Sequence, residues 1–289
     1  MAVVASSAPV HDHQALFHRV VMAVDFTPAS LAAARWATAH LTRGADAFLA
    51  HVTPARLLPD CPSTEEASAA AGLAGFGDTL AIAMPRVSIL AGTPSSMLDS
   101  VVTNTKADLL VIGRRKDSAR RRVGEPNVRE RVARRTSASV LVVPEGAALA
   151  PSHVVAAIDD SSFAELVVRV AAAIARLHDL PLTLLHILPP TSGAYERIIG
   201  GSRKSLPQVE PQQHDERVAA PALRFPHITT RIGDAAREIV AVAESHGHAL
   251  IVVGKRGADL APIGSLGSVT RTLLGFSSLP VLAVEPSLA

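Results

Sequence analysis

The residues best suited to chemistry lie late in the chain. Val252-Val253 runs into Gly254-Lys255-Arg256-Gly257, and nine residues later comes Gly267-Ser268-Val269. Glycine reaches positive φ and lets the main chain approach a ligand closely. Ser268 is a good N-cap for a helix starting at Val269, so free amides and the positive helix end would point at one spot. An anion there is stabilised without a buried cationic side chain. Lys255 and Arg256 would add positive charge at the rim. The spacing predicts a phosphate-binding loop; the alternative is a strand-to-helix turn in which glycine serves geometry alone. Another aliphatic run, Val154 to Ile158, ends in Asp159, suited to accept hydrogen bonds from a ribose or to help hold a metal. His186-Ile187, ending a third run, offers backbone groups to a base.

These pieces need a scaffold that brings strand ends together, and an internal repeat supplies it. Val20 to Asp25 resembles Val154 to Asp159, and Ala47 to Val52 resembles Leu182 to Ile187. Leu109 to Gly113 matches Leu250 to Gly254, and Val140 to Val143 matches Val281 to Val284. The last two pairs share an offset of 141 residues, the Asp pair one of 134, so the connections differ in length. Each half alternates strands and helices, which implies an α/β fold with parallel pairing and right-handed crossovers. Ligands of such open sheets bind beyond the carboxyl ends of the strands, where the strand order reverses. With the first and fourth strands adjacent there, Asp159 and Gly254 would face each other.

Local signals agree. Thr27-Pro28 reads as an N-cap followed by proline at the first helical position. Ser162-x-x-Glu165 reads as a capping box, followed by a stripe of Phe163, Val167, Val170, Ile174 and Leu177. A helix over 235–245 should end near Gly247. Residues 63–83 are Ala-rich and read as helical. Residues 189–221 are rich in Pro, Gln and Gly and read as a long loop over the site, whose conformation ATP would set. The expected division is a tail at 1–17, an N-terminal domain at 18–148 and a C-terminal domain at 149–289.

The pattern Gly254-x-x-Gly257-x9-Gly267-Ser268 resembles that of the ATP-binding members of the universal stress protein family. The resemblance covers both halves, as a tandem member. It implies an open five-stranded sheet of order 3-2-1-4-5 in each half, helices on both faces, and a pseudo-dimer through the last strands. It further implies that Ala157 and Asp159 end the first strand at the nucleotide and that Ile187 contacts adenine. Val253 and Gly254 would flank the phosphates, and Arg256, Gly257, Gly267, Ser268 and Val269 would hold them. The implied cofactor is ATP, with Mg²⁺ beside the triphosphate. In the first half the same register places Gly113, then Lys116, then Pro126-Asn127, so only the first glycine survives. Lys116 brings a side chain where close approach was needed, and Pro126 removes an amide. Weak or no ATP binding is expected there.

Ten Lys or Arg crowd residues 114–135 against Asp117, Glu125 and Glu130, a local +7 in a chain of net charge +2. The segment reads first as a solvated helix face with pairs such as Glu130 to Arg134. A site for an anion or an acidic protein partner is the second reading. Nucleic acid is the weakest, since the segment has no aromatics to stack on bases. Neither the twelve histidines nor Cys61 makes a spacing that a metal site requires. One cysteine fits a reducing cytoplasm, and no apolar run is long enough to span a bilayer. No catalytic residue is assigned. An adenylating enzyme would call for a Ser-Gly-Gly-x-Asp-Ser type of loop after the first strand, and Asp159-Asp160-Ser161-Ser162 stands there instead. The readings in play are an ATP-binding stress-response regulator with little turnover, a slow ATP hydrolase or adenylating enzyme, and a ligand-free scaffold for an acidic partner. Pairing of two chains into a homodimer stays open.

Overall fold

The computed structural model describes residues 16–53, 64–80, 82, 85–116, 128–189, 227–257 and 265–285. The N-terminal half is built from β1 (Arg19–Ala23), α1 (Pro28–His40), β2 (Asp46–Thr53), α2 (Thr64–Thr79), β3 (Arg86–Ala91), α3 (Pro94–Thr105), β4 (Leu109–Arg114), α4 (Val128–Arg135) and β5 (Ser139–Pro144). The C-terminal half repeats the scheme. Its elements are β6 (His153–Ile158), α5 (Ala164–Leu177), β7 (Leu182–Leu188), β8 (Ile228–Ile232), α6 (Ala235–Ser245), β9 (Ala249–Gly254), α7 (Ser268–Phe276) and β10 (Val281–Val284). The region of the long loop expected at 189–221 lies, beyond Pro189, outside the described residues.

Ten strands form one sheet of order β3-β2-β1-β4-β5-β10-β9-β6-β7-β8. Within each half the order is the expected 3-2-1-4-5, and every pairing inside a half is parallel. The two five-stranded sheets are continuous, joined through their last strands as the resemblance implied. β5 and β10 pair antiparallel, with Leu141 opposite Leu282. Those two residues are each other's counterparts in the 141-residue repeat, so a pseudo-two-fold axis passes between them.

Strands such as Leu109–Ile112 and Ala249–Val253 are buried throughout, as parallel strands covered on both faces must be. One apolar layer joins α1, α2 and α5 to the sheet around Trp36, Leu73, Leu141, Ile174 and Leu282. The other joins α3, α4, α6 and α7 around Val140, Val253, Leu273 and Val281. Both layers run across the junction of the halves. At the opposite end of the sheet from the crevice, the Asp108 carboxylate accepts from the amides of His18 (2.7 Å) and Arg19 (3.0 Å), tying the start of β1 to β4.

Thr27 caps α1, its hydroxyl accepting from Ser30 N with Pro28 in the first turn. α6 ends as expected, with Gly247 at φ +80° just beyond its last turn. The capping box at Ser162–Glu165 is not formed. Phe163, the residue before α5, already has helical angles and there is no side-chain cap. Of the predicted stripe, Val167, Val170 and Ile174 are buried, while Leu177 is exposed. No helix among the described residues is long and apolar enough to cross a membrane.

Candidate functional site

The crevice forms where β6 and β9 lie side by side, Ala157 opposite Val253, at the carboxyl end of the second half's sheet. On one side Asp159 follows β6. Its Oδ1 accepts from Ser161 N (3.1 Å) and Ser161 Oγ (2.5 Å), which closes the turn into α5. Its Oδ2 points at the loop after β9: a Cβ added to Gly257 would lie 2.9 Å from it. The loop then folds back on itself. Gly267 N donates to Lys255 O (3.0 Å), Thr270 Oγ1 donates to Gly254 O (2.7 Å), and a Cβ on Gly267 would sit 3.4 Å from Gly257 N. Three glycines and an aspartate therefore meet at this loop, tightest at Gly254 and Gly257.

Helix α7 starts here, with a difference from expectation. The N-cap position belongs to Gly267, in extended conformation, and Ser268 is the first helical residue, exposed and making no cap hydrogen bond. The first intrahelical bond is Arg271 N to Gly267 O (2.8 Å). The amides of Ser268, Val269 and Thr270 thus precede the helix's internal acceptors and give it its positive end. Beside them, Ala157, Ile187, Leu266 and Val269 are partly buried against the apolar layer that contains Val253. Every residue expected at the nucleotide is at this end of the sheet.

The cationic rim is the main correction. Lys255 is only 1% exposed and points away from the crevice, into the junction between the halves. Its Nζ donates to the carbonyls of Thr136 (2.5 Å) and Ala138 (3.1 Å) and pairs with Glu285 Oε2 (2.6 Å). Burial pushes this ammonium below its ordinary pKa, and Glu285 offsets part of the shift. Arg256 is half-buried, its Nη2 on Glu285 Oε1 (2.6 Å), so its guanidinium is already partly engaged. Glu285 and Thr270 escape sequence reasoning because neither lies in a motif. Lys255 had a signal: it falls 141 residues after Arg114, and both follow a strand-ending glycine.

Arg114 overturns part of the reading of the basic segment. It is buried, and its Nη2 donates to Ser277 O (2.5 Å) in the other half, so this cation is no part of a solvated face. Burial pushes its guanidinium below the ordinary range. Arg135 lies 3.8 Å from Asp99. Residues 117–127, including Pro126 and Asn127, lie outside the described residues, as do Cys61 and the histidines of the tail.

The first half keeps the carbon framework of the crevice. Ala23, Val52 and Val128 stand where Ala157, Ile187 and Val269 stand in the second half. Asp25 Oδ1 accepts from Thr27 N (3.1 Å) and Oγ1 (2.6 Å), repeating the Asp159 turn. Burial pushes the Asp25 carboxyl up, but the hydrogen bonds from Thr27 and Ser30 outweigh it, and its pKa ends below the ordinary value. Phe26, at φ +57°, sets its ring 4.6 Å from that of His51, tilted by 44°, and against Gly72 of α2. A Cβ on Gly113 would overlap the Ala29 carbonyl and lie 2.6 Å from Ser30 N, so the start of α1 occupies the ground above this glycine. Among the described residues no group of three or more His, Cys, Asp or Glu could hold a metal ion.

Comparison with known proteins agrees with this architecture. A universal stress protein of Mycolicibacterium smegmatis is 30% identical over 141 residues, an alignment spanning 44% of this chain and 46% of that relative. The chain thus spans about half the length of that curated relative. The crystal structure of a universal stress protein from Archaeoglobus fulgidus overlaps 94% of this chain and 99% of its own, with a TM-score of 0.63 at 15% identity. A Pseudomonas aeruginosa structure covers 93% of both chains, with a TM-score of 0.57 at 14% identity. These two likenesses speak for the fold. The universal stress protein family itself matches twice, over residues 16–144 and 151–285, and the chain belongs to that family.

Proposed function

We propose that this protein is an ATP-binding regulator of the stress response, acting in the cytoplasm, whose C-terminal half holds the nucleotide with little or no turnover. The observation that carries the reading is the start of α7 at Gly267, the amides of its first turn lying beside Gly257, which in turn lies against Asp159 Oδ2. Such a convergence of amides favours a polyanion, and the neighbouring carboxylate suits a ribose hydroxyl or a triphosphate-bound Mg²⁺. Ala157 and Ile187 offer an apolar surface for the base, while Val253 and Gly254 would flank the phosphates and Val269 would help hold them. The first half, which keeps Gly113 under the start of α1 but has Lys116 and Pro126 in place of the second and third glycines, is proposed not to bind.

No side chain is assigned to catalysis, since one oxygen of Asp159 is committed to the Ser161 turn. The reading is tested by calorimetric titration and thermal unfolding with ATP and Mg²⁺, for the natural chain and Gly257→Arg. At a hundredfold excess over Kd the ligand should add about 2.7 kcal/mol of stability. Gly257→Arg should fold and lose that response. A natural chain indifferent to millimolar ATP, or a Gly257→Arg variant that binds equally well, refutes it. Repeated turnover lost in Asp159→Ala would replace it with a slow hydrolase.

A further inference from the structure

Lys255 is the second residue of the Gly254–Gly257 turn, yet its side chain ends among N-terminal residues. Thr136 and Ala138 supply carbonyls to its Nζ, and Ser139 Oγ accepts from the amide of its ion-pair partner Glu285 (3.0 Å). Arg114 makes the mirror-image reach, to Ser277 O. Ser277 stands 141 residues after Thr136, as Lys255 does after Arg114, so the two straps obey the pseudo-two-fold axis. Lys255 has more partners: it reaches a second carbonyl, Ala138 O. Lys255 also has a buried carboxylate, and Glu285 (3% exposed) holds the next residue, Arg256, with its other oxygen. The backbone is pinned as well, by Lys255 N to Val284 O (2.8 Å) and Gly267 N to Lys255 O (3.0 Å).

A buried ammonium with these partners cannot drift, because displacement would strand a charge away from water. Fixing Lys255 fixes its peptide, and with it the position of Gly257 two residues on. We propose that the N-terminal half is a positioning partner for the loop of the C-terminal half. Through Thr136, Ala138 and Ser139 it holds Lys255 and Glu285, and so keeps Gly254–Gly257 folded against Gly267 and Asp159. The first half then contributes to a site it does not line. The consequence for affinity rests on the nucleotide reading above; the consequence for loop order does not.

The test uses the full-length chain with Lys255→Met, Lys255→Arg and Ser139→Ala. Hydrogen exchange reads loop order, and ATP titration reads affinity. Lys255→Met should raise exchange in 254–257 and 265–267 about tenfold or more, leaving β1, β2 and β3 at natural rates. ATP affinity should fall about three- to thirtyfold, the span common for coupling through an intervening residue. Ser139→Ala, the milder variant, should move both readouts the same way. Lys255→Arg, which copies the strap at 114, should restore both in large part. Unchanged loop exchange in Lys255→Met, or exchange raised equally in both halves, overturns the proposal. If the natural chain binds no ATP, the nucleotide reading fails and exchange alone decides the positioning. If it binds and Lys255→Met binds as tightly despite faster exchange, the positioning role is refuted while the nucleotide reading survives.

Discussion

Gly113 and Gly254 occupy one place in the repeat, and the structure expects their alanine variants to fail in different ways. A Cβ on Gly113 would overlap the carbonyl of Ala29 and crowd Ser30 N, both backbone atoms of the first turn of α1. No side-chain rotation relieves that. The helix start would have to withdraw by about an ångström, and α1 carries Ala33, Ala34, Trp36 and Ala37, each at most 1% exposed. Withdrawal would trade overlap for poor packing around Trp36, so a loss of about 2–4 kcal/mol is expected, at or above the usual cost of overpacking. At Gly254 the nearest atoms are Arg256 O at 2.9 Å, in the loop itself, and Val167 Cγ2 at 3.6 Å. A loop carbonyl yields more readily than a helix, so about 1 kcal/mol is expected there, together with a loss of ATP affinity. Urea unfolding of both variants, followed by ATP titration, gives the comparison. Because the halves share one sheet and two apolar layers, unfolding should be a single transition. Equal losses at the two glycines, or a loss below about 0.5 kcal/mol for Gly113→Ala, would refute the packing argument.

Two other predictions concern stability. His40 and His153 have pKa values pushed below the ordinary one, first by burial and then by a neighbouring histidine, His178 for one and His246 for the other. The unfolded chain therefore takes up these protons first. Their contribution is complete above about pH 6.5 and is lost as pH falls from there through the folded-state values. A Tm flat between pH 7.5 and 5.5, or one whose fall is not reduced by His40→Gln with His153→Gln, would count against it. Thr27→Ala should cost about 1–2 kcal/mol by removing the α1 cap. Ser268→Ala, at an exposed non-capping position, should stay within about 0.5 kcal/mol; chemical denaturation of the two variants separates cap from bystander.

The order of elements, the parallel pairing and the place of the crevice were legible because they depend on periodicity and repetition. Both are one-dimensional properties. The aliphatic runs fixed the strands, and the paired Asp25 and Asp159 located the same strand end twice. What was not legible depends on where a side chain travels after it leaves the backbone. Lys255 and Arg256 are neighbours in a glycine loop, and charge alone placed both at the rim. The continuous sheet decides otherwise, since pairing β5 with β10 sets Thr136 and Ala138 within reach of Lys255. Ser162 and Ser268 failed as caps for a related reason. Asp159 and Gly267 had already settled how the chain enters α5 and α7. A cap motif describes a helix end in isolation, and here the strand before it chooses the entry.

Divergence between the halves separates two demands that a single domain must meet together. Requirements of the sheet persist in both: the strand-ending glycine, the Asp turn, the apolar floor, and a basic side chain crossing to the partner half. The second and third glycines of the loop persist in one. The more elaborate of the two straps begins beside them, at the peptide Gly254–Lys255. Its carbonyl end faces Thr270 and its side chain faces the other half. Strain introduced at the junction of the halves should therefore reach the crevice of the second half before it reaches that of the first, where Gly113 is held by α1 of its own half.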